Sequence, residues 1–194
     1  MAASLPVLVR RLGPRHWPVL RDVRLAALQD APGAFVGDRA REQARPDEVW
    51  QALAGDGDWL LAEVAGEPAG LVHGICDPDS GDCYVESMWV APAHRRQGVA
   101  HRLLGAAGHR ARAQGRSAVF LWVLDGNEAS RAFYLRFGFV RTGRRQQIGP
   151  GGTRTEEEFR YDLPDAGTGS GAGTGSGADA TTIEGDSGTA QFVA

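Results

Sequence analysis

The stretch from Met88 to Leu124 constrains this chain most. A strand-like run, "SMWVA", is stopped by Pro92, and the basic loop "HRRQG" follows it. Next, "GVAHRLLGAAGHRARAQG" carries apolar residues at helical spacing until Gly115 ends the pattern. Then comes "SAVFLWVL", a continuous apolar run that reads as a strand buried on both faces. Strand, helix and strand in so short a span call for a sheet flanked by helices. Two arginines and a glycine stand where strand becomes helix. The first turn of any helix has unpaired N–H groups and a positive dipole end, so this junction is suited to an anion.

The flanking sequence completes the sheet. "LPVLVRRL" reads as a strand, and "HWPVLRDVRLAALQ" as a helix with Val19, Leu20, Val23, Ala27 and Leu28 on one stripe. "DAPGAFVGDRAREQAR" reads as an irregular loop punctuated by Pro32 and Gly33. "PDEVWQALAG" is a short helix with Pro46 at its start and Asp47 and Glu48 in its first turn. "DWLLAEVAGEPAGLVHGIC", broken by a Gly-Glu turn, and "DCYVESMWVA" supply three consecutive antiparallel strands. "NEASRAFYLRFG" is a helix with Asn127 as N-cap and Gly138 as its stop. "FVRTGRRQQI" and "TEEEFRYDL", joined by "GPGG", form a closing strand pair. The expected fold is α/β of the α+β kind: a mixed, mostly antiparallel sheet of about seven strands flanked by about four helices, over residues 1–163. Residues 164–194 are Gly, Ser, Thr and Ala tracts that bury too little apolar surface to offset chain entropy, and they read as a flexible acidic tail.

Composition removes several classes of function. An apolar fraction of 42% with five tryptophans sustains a core, and a net charge of −3 provides no basic field for nucleic acid. The tail's Asp165, Asp179, Glu184 and Asp186 account for that negative balance, so the folded part is close to neutral. No stretch approaches the roughly 20 apolar residues of a membrane span. The first residues lack the order of a signal peptide, so a cytoplasmic location is expected. All 21 positive side chains are arginine, which leaves no lysine amine to be acylated. Cys76 and Cys83 show no CxxC spacing and read as two part-buried thiols in neighbouring strands. The five histidines form no ligand pattern, so no metal is expected.

Arg95, Arg96, Gln97, Gly98, Val99 and Ala100 read as a pyrophosphate cradle: Gly98 admits a bulky anion, Ala100 keeps the next turn thin, and the arginines add charge. Neither a Walker loop nor a GxGxxG fingerprint is present. The pattern [R/Q]-x-x-G-x-[G/A], filled by Arg95, Gly98 and Ala100, combines with "NEASRAFYLRFGFVRTG" downstream. Together they resemble the GNAT superfamily of N-acetyltransferases, over the element order from Leu5 to Leu163, with specific motifs between Ser87 and Gly143. The resemblance implies acetyl-CoA as acyl-donor co-substrate and direct transfer of acetyl to a primary amine, most simply that of a small molecule.

Residue by residue, the resemblance implies that the backbone of Met88, Trp89 and Val90 holds the pantetheine arm in a gap between splayed strands. It implies that Arg95 to Ala100 hold the pyrophosphate, with Arg96 where glycine is commonest, and that Asn127 contacts the cofactor. Tyr134, seven residues on, matches the tyrosine near the thioester sulfur, where a phenol can protonate the leaving thiolate. Glu86 is a candidate general base; a solvated or ion-paired strand carboxylate is the competing reading, and Ser87 is expected to face the opposite way. Acetyltransferases of ribosomal-protein N-termini carry a catalytic glutamate where this chain has Trp122, which points away from that acceptor. The acceptor side is expected between Phe35 and Trp50, with Phe35, Trp50, Glu48 and Trp122 as lining. Protein acetylation, an acyl-CoA sensor with little turnover, and a purely structural module are the alternatives. The family commonly forms homodimers, but no residue here marks one.

Overall fold

The computed structural model describes residues 5–164; residues 1–4 and, beyond Pro164, the expected tail lie outside the described residues. Seven strands form one sheet: β1 (Val7–Arg11), β2 (Asp58–Val64), β3 (Glu67–Cys76), β4 (Cys83–Val90), β5 (Ala118–Leu124), β6 (Val140–Ile148) and β7 (Arg154–Asp162). Five helices accompany them: α1 (Trp17–Asp30), α2 (Arg39–Gln43), α3 (Asp47–Gly55), α4 (Val99–Ala113) and α5 (Glu128–Phe137). The strand order is β1-β2-β3-β4-β5-β7-β6. Every neighbour is antiparallel except β4 and β5, whose connection runs through α4.

Two apolar layers follow from the two faces. On one, Leu103, Leu104 and Ala107 of α4 and Tyr134 of α5 pack on Val72, Val85, Val119 and Leu121. On the other, Leu20, Val23 and Leu28 of α1 and Trp50 of α3 pack on Trp59, Leu61, Leu71 and Trp89. That second layer takes its strand residues from β2, β3 and β4, so among the described residues no helix covers β5, β7 and β6 there. For this reason β5 is not buried on both faces as its apolar run suggests. Val119, Leu121 and Val123 are enclosed under α4 and α5, whereas Phe120 and Trp122 are half-buried.

Two further expectations change. The segment after Pro32 is not wholly irregular: Asp38 Oδ1 accepts from the Arg41 N–H at 2.8 Å and starts the single turn of α2. Cys76 and Cys83 are not separate thiols. They face each other at the last β3–β4 register pair and form a disulfide.

The feature that shapes the site is a β-bulge in β4. Leu71 pairs with Trp89, but His73 pairs with Glu86, so Ser87 and Met88 together face Val72. Ser87 adopts a left-handed φ of 51°. Strict alternation therefore fails here: Val85, Met88 and Val90 join the α4 layer, while Trp89 joins the α1–α3 layer with His73, which stacks on Trp59. Glu86, across from His73, lies on the α1–α3 side.

Candidate active site

Among the described residues, β4 and β5 pair at a single position, Tyr84 with Phe120. Beyond it, no register pair joins Val85–Val90 to Leu121–Leu124 among the described residues, which leaves an opening in the ladder between the two strands. Met88, Trp89 and Val90 lie on this arm of β4 with side chains 1%, 5% and 2% exposed, so the arm offers the opening its main chain. Behind this arm the bulge is pinned by Arg24 of α1. Its Nη1 donates to Ser87 Oγ at 3.2 Å, and its Nε and Nη2 grip the Glu42 carboxylate at 3.1 and 2.9 Å. Both charges of that pair are buried.

At the end of β4 the backbone turns through Arg96 (φ 62°) and Gly98 (φ 83°) into α4. The left-handed φ explains why glycine is favoured at the place Arg96 occupies. A Cβ on Gly98 would meet nothing within 4 Å, so glycine is needed there for conformation, and open space lies before the helix start. The first helical bond in the turn runs from Arg102 N–H to Gly98 C=O at 3.1 Å. The amides of Val99 to His101 thus have no carbonyl one turn back. Arg95 is already engaged: Nε donates to the Val90 carbonyl at 3.1 Å, and Nη2 pairs with Asp30, which also accepts from Trp89 Nε1 at 2.9 Å. Arg95 fastens the loop, while Arg96, Gln97 and Gly98 are exposed, with Gln97 Nε2 bonded to the Ala93 carbonyl. Val99 is buried in the α4 layer, and Ala100 packs at its edge.

Helix α5 carries the next two expected residues. Asn127 caps it, with Oδ1 accepting from the Ser130 N–H at 3.2 Å. Two turns on, Tyr134 is 1% exposed, between Phe133 and Phe139 with ring centroids 5.4 Å away in each case. It shares its cluster with Met88, Val90 and Val99. Burial raises its phenol well above the ordinary 10, so the hydroxyl keeps its proton at neutral pH.

The other expected residues are placed differently. Phe35 is 2% exposed beneath the Arg24 guanidinium, 5.0 Å from its ring centroid, and Trp50 is equally enclosed; both belong to the α1–α3 core. Glu48 is exposed on α3, and Glu86 is half-buried. Trp122 is half-buried on the uncovered face, opposite Glu158 and 5.8 Å from the Arg144 guanidinium. At the end of β5 lies a cavity of about 700 Å³, lined by Gly33, Ala34, Leu124, Asn127, Arg154 and Thr155 among others. Arg154 closes one side of it, donating to the carbonyls of Phe35 at 3.0 Å and of Gly33.

The sequence reading missed the three consecutive glutamates of β7, all buried. Glu157 faces α5 and pairs with Arg131. Glu158 accepts from Tyr84 Oη at 3.0 Å, Thr142 Oγ1 at 2.8 Å and Arg144 Nη1 at 2.9 Å. Glu156 is 0% exposed, and one oxygen accepts from Gln146 Nε2 at 2.5 Å while the other has no partner among the described residues. Burial raises its pKa to about 6, against the opposing pull of Gln146 and Arg154. The available signal was the run itself, since three acids in a row on a strand must place carboxylates on both faces. Among the described residues no group of His, Cys, Asp and Glu could hold a metal ion, and no helix is long and apolar enough to cross a membrane.

Comparison with known proteins gives a consistent picture. The profile of the Acetyltransferase (GNAT) family matches residues 24–139. Nourseothricin acetyltransferase is similar at 26% identity and a TM-score of 0.51, over 56% of this chain and 66% of that one. An acetyltransferase of the same family from Streptococcus pneumoniae is similar in fold at 18% identity and a TM-score of 0.67, covering 82% of this chain and 100% of its own. A third, yncA from Salmonella typhimurium, solved with its cofactor acetyl-CoA, is similar at 18% identity and a TM-score of 0.59, over 86% and 99% of the two chains.

Proposed function

This chain belongs to the acetyltransferase (GNAT) family, and we propose that it moves an acetyl group from acetyl-CoA directly to a primary amine of a small molecule. The observation that carries the reading is that β4 pairs with β5 at Tyr84 alone among the described residues, on the strand that leads into the open first turn of α4. On the edge of β4 away from β3, the main chain of Met88 to Val90 would pair with an extended pantetheine arm, the Val90 carbonyl being shared with Arg95, and the amides at the start of α4, with the exposed charge of Arg96, would hold the pyrophosphate. Arg95 keeps that loop in place through Asp30 and the Val90 carbonyl. Asn127, at the start of α5, would contact the same arm.

Acetyl-CoA supplies an activated thioester. Attack by a neutral amine forms the C–N bond and breaks the C–S bond, and the departing sulfur needs a proton. Tyr134, kept protonated by its burial, is the donor in this reading. The small-molecule acceptor rests on three supports. The cavity of about 700 Å³ is of small-ligand size. Trp122 stands at the position where, by the resemblance, a protein-N-terminus enzyme carries its glutamate. The relative at 26% identity is named for acetylating nourseothricin.

The test is calorimetric titration with acetyl-CoA, followed by thiol-release assays over a panel of amines that includes nourseothricin and spermidine. Micromolar binding, weakened by an Arg95→Ala, Arg96→Ala variant, with thiol release for at least one amine, is expected. Binding without release for any amine would leave an acyl-CoA sensor instead.

A further inference from the structure

The cavity at the end of β5 has a cation in its wall that no carboxylate pairs with among the described residues. Arg154, at the start of β7, reaches across to the segment after α1, where its guanidinium donates to the carbonyls of Phe35 at 3.0 Å and of Gly33. Gly33 and Ala34 line the cavity together with Arg154, so those bonds hold the guanidinium at the wall. They use two of its five N–H donors and leave the others for a ligand. We propose that this cavity takes an acceptor amine that also carries an acid group, a carboxylate or a phosphonate, and that Arg154 binds that group. This rests on the acetyl-transfer reading above and narrows its substrate class.

The acids around the cavity do not neutralise Arg154. Asp125 is in the lining, but Arg145 pairs with it and Arg131 lies 3.6 Å away. Glu156, next along β7, feels the Arg154 charge without bonding to it; it is 0% exposed and outside the lining. Glu128 is exposed on α5, 3.5 Å from Arg131, and is also outside the lining.

A second part of the wall has the same polarity. Ala129 and Ser130, in the first turn of α5, line the cavity. The Arg131 N–H takes the Asn127 carbonyl at 3.0 Å, so the amides of Glu128 and Ala129 have no carbonyl one turn back. The helix dipole adds partial positive charge at the same end. Ser130 is 1% exposed, and its Oγ has no partner among the described residues. A buried hydroxyl is normally hydrogen-bonded, and an acid group in the cavity supplies the acceptor this one lacks. A guanidinium, an open helix start and a donor hydroxyl suit an oxyanion and repel a polycation. Ser130 precedes Tyr134 on α5 by one turn, about 6 Å along the axis, so a molecule whose acid sits at the start of α5 needs its amine only a few bonds away. Small amino acids and amino phosphonates have that form. Spermidine, which carries no acid, does not.

The experiment measures thiol release with the common L-amino acids and β-alanine, each beside its carboxamide, and with 2-aminoethylphosphonate beside ethanolamine. The acid is expected to exceed its neutral counterpart in kcat/KM by roughly 10- to 100-fold, the range of a charge-assisted hydrogen bond. Comparing the carboxylates with the phosphonate identifies the acid group. Arg154→Gln is expected to lower kcat/KM for the preferred acid by a similar factor, while its carboxamide and acetyl-CoA affinity change by less than about 3-fold. Arg154 also holds two carbonyls, so the ratio of acid to carboxamide is read in wild type as well, where no variant has to fold. Carboxamides that match their acids in wild type, release with spermidine but with none of the acids, or an unchanged ratio in Arg154→Gln overturns the proposal. A wild type that binds acetyl-CoA and acetylates no amine defeats the transfer reading instead. The acid site is then read from the ¹⁵N NMR signal of Arg154 Nε during titration with glycine, 2-aminoethylphosphonate and glycinamide. A shift with the acids and not with glycinamide supports it, and equal shifts or none overturn it.

Discussion

Replacing Arg24 with methionine tests how the site is held open. Arg24 and Glu42 are 5% and 4% exposed, and the guanidinium also reaches Ser87 in the bulge. Removing one partner of a buried pair leaves the other charge uncompensated, at a cost of about 3–5 kcal/mol. Here the Arg45 guanidinium, 3.8 Å from Glu42, offsets part of that loss, which puts the expectation at the lower end, about 3 kcal/mol. With a urea m-value of about 2 kcal/mol/M the unfolding midpoint should fall by roughly 1.5 M. The double variant Arg24→Met, Glu42→Leu removes the stranded carboxylate and should return to within about 1 kcal/mol of wild type. Acetyl-CoA affinity should behave differently. Neither variant supplies a donor to Ser87, so the bulge at φ 51° loses its tether in both, and binding should be weakened in both. A single variant that loses less than about 1 kcal/mol, or a double variant no more stable than the single, would refute the buried-pair argument. Wild-type acetyl-CoA affinity in the double variant would refute the link between the bulge and the opening.

Arg96→Gly should raise stability by about 1 kcal/mol in thermal unfolding, because glycine adopts φ 62° without strain, while acetyl-CoA binding weakens slightly through the lost charge. Tyr134→Phe should lower kcat by at least 10-fold with an unchanged acetyl-CoA dissociation constant; an equal loss in both would mark Tyr134 as packing alone. Burial lowers His73 from 6.5 to about 4, so the folded state resists a proton that the unfolded chain takes up. Stability is full above 6.5 and falls by up to about 3 kcal/mol as pH drops toward 4, a loss that His73→Phe should abolish in urea titrations run at several pH values. Glu156 works in the opposite sense. Raised from 4.5 to about 6, it stabilises the fold below 4.5, and that contribution is lost as pH rises through 6. Glu156→Gln should therefore be more stable than wild type by about 2 kcal/mol at pH 7.5 and equal to it at pH 4.

Much of the fold was legible in short windows. The stripe of α1, the Gly-Glu turn between β2 and β3, the Asn127 cap and the Gly138 stop are local signals, and each element stands where they put it. So does the loop from Arg95 to Gly98, because the end of a strand, a left-handed glycine and an apolar stripe all lie within a dozen residues. The gap between β4 and β5 was an expectation from family resemblance; the structure pairs the two strands at Tyr84–Phe120 alone among the described residues.

What stayed hidden depends on residues far apart in the chain. Asp38 marked the start of α2 but stood in a Pro- and Gly-punctuated stretch, where a one-turn helix is not distinguishable from a loop. Cys76 and Cys83 became a disulfide because β3 and β4 bring them into register, a property of the hairpin's alignment and not of their spacing. The bulge at Ser87 depends on Arg24, 63 positions earlier, and could not be read from β4 alone. Sequence by itself determined most of the strands and helices, since backbone preference and periodicity act over a few residues. The tertiary structure alone decided which carboxylates lose water and which of them keep a partner. Desolvation and pairing are set by strands and helices that meet across the sheet, and they separate Glu156 from Glu157 and Glu158, its neighbours of the same residue type.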